Sequence, residues 1–584
     1  MFSIGTKFDS ASKLWSGSGA ASQLFHESVT LGRALLYLLN LNPAKICQIS
    51  ADDGSKRTNG EIYKATLNVA VNLQKRGCSK GDVVGFVCRN SHNLTPAFLA
   101  AQFLGAPTNA LDIAFSRDVV GFVCRNSHNL TPAFLAAQFL GAPTNALDIA
   151  FSRDEIAHMF RATQPKFVFC DDDMSDVVHG ALTDISNNAT IIILGKEKCN
   201  FTHINDLLND KGNQMQIMNL MLYPPEVDVQ SCSAIICSSG TTGYHKGVAL
   251  SHECIKFHFC KPALNAKLGY ATFSFSSLYW ASGYIALLSS LFSLSTRIIT
   301  TKPFSPEFLI SIIKNYKVTM LLTPPSQATQ LINCPALKED SLASLKSYTC
   351  IGGLITIELC NRIQSYLPNG TFMNTYGMSE AGTISTLCMP SAKVSVGFLS
   401  TGVTAMIINE DGQQLGFGEI GEICVKTKSL FMGYYNNPEA TEVMFDKNGW
   451  VHTGDLGYFD EDGILYLTGR KKDILKYNNY HVSPLEIEEI LQNHPDVSQA
   501  VVVGIPDQIF TDLPAAVVVR KDGTSVTEEE LSQFVEKAVP DYKKLRGGVY
   551  FVDKIPMTPS GKMRKHIVKD LAVDLFKLRQ TKNL

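Results

Sequence analysis

The chain has 584 residues, too many for a single hydrophobic core, so at least two domains are expected. Its 52 Lys+Arg against 54 Asp+Glu leave a net charge of −2, which removes the electrostatic case for nucleic acid or an anionic membrane as main partner. With 45% hydrophobic residues the composition is that of a globular enzyme acting on a small molecule.

The opening "MFSIGTKFDSASKLW" has no unbroken apolar run and no small-residue cleavage site, so it does not read as a secretory signal and an intracellular protein is expected. Fifteen cysteines without a CxxC pair or a metal-ligand spacing fit reduced, mostly buried thiols, none of them catalytic. Residues Asp82–Arg117 then recur without a change as Asp118–Arg153. Each copy reads as a strand ("VVGFVC"), a helix ("NLTPAFLAAQFLGA") and a return toward a strand ("PTNALDIAF"). Solenoid units drift in sequence and number at least three, so two perfect copies read instead as a recent duplication or a misassembled gene. One copy is expected to be surplus.

Further on, apolar strands ("ATIIILG", "KVTMLLTPP", "SYTCIGG") alternate with amphipathic helices, the pattern of layered α/β architecture. Between them stands "CSSGTTGYHKGVALSH", Cys237–His252, directly after the apolar "SAII". A strand running into such a loop suits a phosphate: backbone N–H groups, the hydroxyls of Ser238, Ser239, Thr241 and Thr242, and Lys246 can follow it. No register of "GTTGYHKG" gives G-x-x-x-x-G-K-[ST], which excludes a P-loop NTPase. Leu268–Thr296 lacks charge and is long enough to cross a bilayer, but its eight serines favour a buried strand–helix segment near a substrate cavity, and no transmembrane span is expected. Asp455–Lys476 reads as a hairpin followed by a basic connector, placing a domain boundary near Gly469–Lys472. Beyond it, "LEIEEILQNH", "QAVVVGI" and "AAVVVRKDG" suffice for a small α+β domain. The expected fold class is α/β, with a large multi-subdomain N-terminal domain over 1–468 and a small α+β domain over 469–584.

Five motifs come in order: "SSGTTGxxKG" from Ser238, "YGMSE" at Tyr376–Glu380, "GWVHTGD" at Gly449–Asp455, "GRKKDILK" at Gly469–Lys476 and "PSGKMRK" at Pro559–Lys565. Together they resemble the adenylate-forming superfamily of acyl-CoA synthetases, 4-coumarate–CoA ligases and beetle luciferases, and the serine-rich "FSSLYWASG" resembles the insect luciferase-like acyl-CoA ligases. The resemblance implies ATP, Mg2+, CoA and a carboxylic acid as partners. It implies that Lys562 swings in on a mobile C-terminal domain to bridge carboxylate and phosphate, with Lys246 as a second catalytic lysine. The loop Ser238, Ser239, Gly240, Thr241, Thr242, Gly243 would hold the phosphates. Glu380 would be the magnesium-associated carboxylate, with Thr241 beside the metal and Ser379 replacing the usual threonine. Tyr376 would cover the adenine, with Gly352, Gly353 and Gly377 at its edge, and Asp455, assisted by Arg470, would accept the ribose hydroxyls.

The chain departs from the family pattern at several places. "KYNNYHV" puts Asn478 where relatives have lysine, Asn479 where they have glycine and His481 where they have glutamine. Asn479 is expected to keep the left-handed turn. His245 replaces the usual proline of the loop, and Ser277 stands where a gating histidine would sit. The implied activity is ATP-dependent ligation of an acid, expected to be a medium- or long-chain fatty acid, to CoA. The alternatives are a 4-coumarate-type aryl ligase, a luciferase-like oxygenase, and a silent nucleotide-binding relative. The final "TKNL" keeps only the leucine of a peroxisomal tripeptide, so the expected address is peroxisome or cytosol.

Overall fold

The apolar runs that alternate with amphipathic helices become, in the computed structural model of the chain, the strands of two large sheets. The structure describes residues 5–17, 25–26, 28–76, 84–86, 119–123, 143–194, 200–208, 214–222, 227–239, 245–259, 270–353, 355–388, 395–478, 480–507, 509–556 and 564–582. One nine-stranded sheet runs in the order Thr202–His203, Thr190–Ile193, Pro165–Cys170, Val84–Phe86, Thr144–Leu147, Cys232–Ser239, His245–Ser251, Gly433–Tyr434, with Val119–Val123 also paired inside it. The other runs Phe398–Leu399, Gly382–Cys388, Thr371–Met378, Ser347–Ile351, Met320–Thr323, Ala271–Ser274, Thr296–Ile299, Ile46–Ser50, Lys56–Thr58. Strands such as "TIII" and "FVFC" read as continuous apolar runs because parallel strands are covered on both faces. The largest core joins the sheets through Leu35, Ile62, Ile235 and Tyr284, and a second packs Phe273, Ile313, Tyr348 and Phe372 on the outer face.

A six-stranded antiparallel sheet ends with the hairpin Val451–Phe459 and Leu465–Arg470, whose turn is closed by Asp460 accepting from the Ile464 and Gly463 amides. Four residues later Leu475–Tyr477 belongs to a separate five-stranded sheet with its own core of Val482, Ile487, Val502, Val518 and Leu531. The fold is α/β, with a large N-terminal part and a smaller C-terminal one.

The uncharged stretch divides into strand Ala271–Ser274, helix Ala281–Phe292 and strand Thr296–Ile299. The helix is buried on nearly every side, which explains its lack of charge. Serines in it and at its end turn onto the backbone: Ser290 donates to the Leu287 carbonyl at 2.7 Å and Ser293, the residue after the helix, to that of Ser289 at 2.6 Å. Among the described residues no helix is long and apolar enough to cross a membrane. The described cysteines are buried except Cys388, and burial pushes the thiols of Cys47, Cys232, Cys237, Cys254 and Cys350 up to about 12.

Both copies of the repeat send their strand to one place. Gly85 and Gly121 both pair with Val168, while Phe86 and Phe122 both pair with Phe169 on one side and Ala146 on the other. A strand edge forms one ladder, so this slot seats one copy at a time. The helices expected in the two copies lie outside the described residues.

Candidate active site

The site forms where the two nine-stranded sheets bring their loops together. In the second sheet, the parallel strands ending at Ser274, Thr323, Ile351 and Met378 deliver the segments after them to one edge, the usual place for a ligand in such sheets. In the first, Cys232–Ser239 and His245–Ser251 form the antiparallel pair around the phosphate loop, with Ser238 opposite Lys246 and Ser239 opposite His245.

Lys246, Tyr434 and Glu380 meet here. The Lys246 ammonium lies 5.0 Å from the centre of the Tyr434 ring, and the Tyr434 hydroxyl donates to Glu380 Oε1 at 2.8 Å. Strand pairing sets this: Tyr434 sits opposite Val248, two residues past Lys246 and so on the same face of the sheet. Burial, then the Glu380 charge, raises the Tyr434 hydroxyl well above its ordinary value, and the Ser238 hydroxyl opposes this. Glu380 is 5% exposed, at the tip of the Thr371–Met378 and Gly382–Cys388 hairpin. Gly382 closes that tip at φ +67, and a Cβ there would lie 2.3 Å from the His258 ring.

Asp455 anchors a second cluster. The Tyr376 hydroxyl donates to its Oδ2 at 2.7 Å and Arg470 Nε reaches its Oδ1 at 3.0 Å. Asp455 and Arg470 are cross-strand partners in the hairpin, so register alone sets their pairing. Burial, then the Asp455 charge, drives the Tyr376 hydroxyl well above its ordinary value. Gly377 packs against the facing strand, where a Cβ would lie 2.3 Å from the Gly382 carbonyl oxygen. Gly352 turns the chain at φ +96. Gly353 follows it against Pro325, and Ser379 is half-buried beside Glu380.

In the segment after strand Ala271–Ser274, Ser277 is 9% exposed and its hydroxyl has no partner among the described residues. Gly283 is required nearby, because a Cβ there would lie 2.0 Å from the Ser277 carbonyl oxygen.

Lys562, Gly240, Thr241, Thr242, Gly243, Asn479 and the side chain of Ser239 lie outside the described residues. Arg564, two positions after Lys562, is near enough to the phosphate loop that its charge adds to the burial lowering the His245 pKa. Asn478, next to Asn479 in the "KYNNYHV" turn, is left-handed at φ +46. Sequence reasoning missed Tyr434, whose "MGYY" context carries no motif. It also missed Glu422, buried in strand Gly421–Thr427 and paired with Lys471 at 2.9 Å beside His452 at 3.5 Å. The signal for Glu422 was a lone charge inside "GEICV".

A family model described as AMP-binding enzyme matches residues 115–435, more than half of the chain, and one described as AMP-binding enzyme C-terminal domain matches 486–562. The chain belongs to the AMP-binding enzyme family. The first match takes in the second copy of the repeat and almost none of the first. This AMP-binding enzyme is 29% identical over 543 residues to 4-coumarate–CoA ligase 1 of Petroselinum crispum, covering 90% of each chain. It is 27% identical over 541 residues to 4-coumarate–CoA ligase CCL1 of Humulus lupulus, again covering 90% of each. Among solved structures, the anthranilate–CoA ligase AuaEII with anthranoyl-AMP shares its fold at a TM-score of 0.78 and 18% identity, covering 94% of this chain and 98% of that one. ATP-bound MatB from Rhodopseudomonas palustris shares it at 0.76 and 23%, covering 93% and 99%.

Proposed function

We propose that this AMP-binding enzyme is an ATP-dependent acid–CoA ligase whose acid is an aryl acid of the 4-coumarate kind, in place of the fatty acid expected from the sequence alone. The observation that carries it is the pair of clusters at one sheet edge, Lys246–Tyr434–Glu380 and Tyr376–Asp455–Arg470, in a chain matched along 90% of its length by 4-coumarate–CoA ligases.

In the first step a carboxylate oxygen bonds to the α-phosphorus of ATP and the α–β phosphoanhydride bond breaks, releasing pyrophosphate. In the second the CoA sulfur bonds to the acyl carbon and AMP leaves. Lys246 and the Ser238 hydroxyl hold phosphate oxygens, and Lys562 bridges phosphate and carboxylate, where fixed positive charge lowers the barrier most. Asp455 keeps lone pairs for the ribose hydroxyls besides those taken by Tyr376 and Arg470. Mg2+ supplies charge neutralisation on the phosphates. The described residues hold no cluster of three His, Cys, Asp or Glu, and the buried Glu380 would hold Mg2+ as one oxygen ligand beside the phosphates. The chain divides near Gly469–Lys472, with Asp455 and Glu380 on the large side and Lys562 on the small one.

The test is acid-dependent pyrophosphate release across hydroxycinnamates, benzoates and fatty acids of graded length, with wild type and Lys562→Ala. Expected is fastest release with 4-coumarate or a close analogue, and at least ~100-fold loss of that step in the variant. Transfer to CoA from a supplied acyl-adenylate should survive in the variant. Fastest release with fatty acids overturns the aryl reading, release with no acid overturns ligation, and equal loss in both steps overturns the role of Lys562.

A further inference from the structure

His245 opens strand His245–Ser251 just after the phosphate loop, and its ring packs among aromatic side chains. The imidazole stacks on Phe151 at 4.6 Å and 28°, and its Nδ1 lies 3.3 Å from the Tyr279 hydroxyl. Tyr279 meets Phe151 edge-on at 5.4 Å and Trp280 at 4.4 Å, so four rings lock one another. Phe151 and Tyr279 are 8% and 3% exposed. Edge-to-face and offset stacking fix orientation as well as distance, which a single aliphatic contact would not do. Burial lowers the His245 pKa, helped by the charges of His158 and Arg564 and opposed by Glu155 and the Ser238 backbone, so the ring is neutral near neutral pH. Burial raises the Tyr279 hydroxyl far above its ordinary value, which leaves it a phenol able to donate to Nδ1.

The two ends of this contact belong to different halves of the site. Tyr279 lies in the segment after strand Ala271–Ser274, two residues past Ser277 with its unpartnered buried hydroxyl. His245 is joined by one peptide bond to Lys246, and side chains alternate along the strand. The imidazole therefore faces Phe151 and Tyr279 while the Lys246 ammonium faces Tyr434 and, through it, Glu380. A displacement of the His245 ring moves the backbone that carries Lys246.

We propose that the His245–Tyr279 contact couples the acid half of the site to the phosphate half, with His245 as a positioning residue that acts through Lys246 and makes nucleotide binding respond to the acid. This rests on the proposed function, with the phosphates beside Lys246 and the acid placed in the segment after strand Ala271–Ser274, where the buried Ser277 hydroxyl has no partner among the described residues. Binding of one ligand that depends on the other must be reciprocal, so it can be read from the nucleotide side alone.

The experiment is titration calorimetry of α,β-methylene-ATP with Mg2+, whose α–β bridge cannot be cleaved, in the absence and presence of 4-coumarate. The proteins are wild type, His245→Ala, His245→Asn, Tyr279→Phe and the His245→Ala/Tyr279→Phe double variant. The expected result is that 4-coumarate tightens nucleotide binding about fivefold in wild type and by less than about 1.5-fold in His245→Ala and Tyr279→Phe. The double variant should match the singles, because one contact has been removed either way, and His245→Asn, which keeps a hydrogen-bonding atom near Nδ1, should recover part of the gain. A purely structural role would weaken the nucleotide equally with and without acid. Full gain in both single variants, or no gain in a wild type that does release pyrophosphate with 4-coumarate, overturns the coupling. Absence of pyrophosphate release with 4-coumarate instead overturns the substrate reading, and the same titration is then made with the acid that the release screen selects.

Discussion

Glu380 and Asp455 each accept a tyrosine hydroxyl, from Tyr434 at 2.8 Å and from Tyr376 at 2.7 Å. A phenol on one oxygen fixes the carboxylate rotamer and leaves other lone pairs to a ligand, a preorganised arrangement for cation or hydroxyl recognition. His252 shows the opposite treatment of a polar group. It opens helix His252–Phe259 fully buried, neither ring nitrogen has a partner among the described residues, and burial holds its pKa at about 3. The folded state therefore binds this proton less readily than the unfolded chain, whose histidine titrates near 6.5. Stability from the neutral ring is present above pH 6.5 and is lost as the pH falls toward 3. Between pH 7 and pH 4 wild type should lose about 3 kcal/mol more than His252→Leu, read by urea unfolding at the two pH values. Curves that fall in parallel would remove His252 as the acid-labile group.

At the scale of elements, the repeat is a contest between identical strands for one slot. The two copies run on into different sequence. At the end of the second copy, Ser152 closes a capping box with Glu155 just beyond it on helix Arg153–Thr163, while Ser116 of the first copy has Val119 three residues on and can form none. Return strand Thr144–Leu147, which precedes that helix, is the one paired with Cys232–Ser239. The displaced strand and its apolar neighbours have no second slot among the described sheets, and exposed apolar segments invite aggregation. Because the copies are identical, deleting either one produces the same shorter chain. That chain should show higher soluble yield and melting temperature with at least equal pyrophosphate release. A full-length protein as stable and as active would mean that the extra copy is accommodated and has a structural role.

At the scale of the molecule, strand Leu465–Arg470 ends one sheet and Leu475–Tyr477 begins another, with separate cores on either side. Among the described residues the connector is held by Lys471 on Glu422 at 2.9 Å, Asp473 beside Lys565 at 3.9 Å and the Ile474 amide donating to the Arg470 carbonyl at 3.1 Å, and Ser483 donates to the Thr468 carbonyl at 2.5 Å. Two cores with so slight a junction should unfold as two units. Calorimetry should resolve two transitions, and ATP with Mg2+ at about 100 times its Kd should raise the larger by roughly 2–5 °C. A single transition that moves as a whole would show that the junction couples the domains fully.

The sequence by itself determined the chemistry on offer: a Gly/Ser/Thr loop with Lys246, Glu380 in "YGMSE", a hairpin beginning at Asp455, and the α/β alternation. These are local patterns, because turn residues, strand period and hairpin register are set by neighbours a few positions away. Only the tertiary structure decided which of these groups meet. Tyr434 reaches Glu380 across 54 positions and Tyr376 reaches Asp455 across 79, through sheet pairings that no short-range period encodes. The same holds for His245, which in sequence is a loop residue replacing proline. Its stacking on Phe151 and bond to Tyr279 exist because three segments distant in sequence pack together. It holds most plainly for the repeat, where two identical sequences carry identical propensities and the sheet, with a single slot between Thr144–Leu147 and Pro165–Cys170, seats one strand at a time.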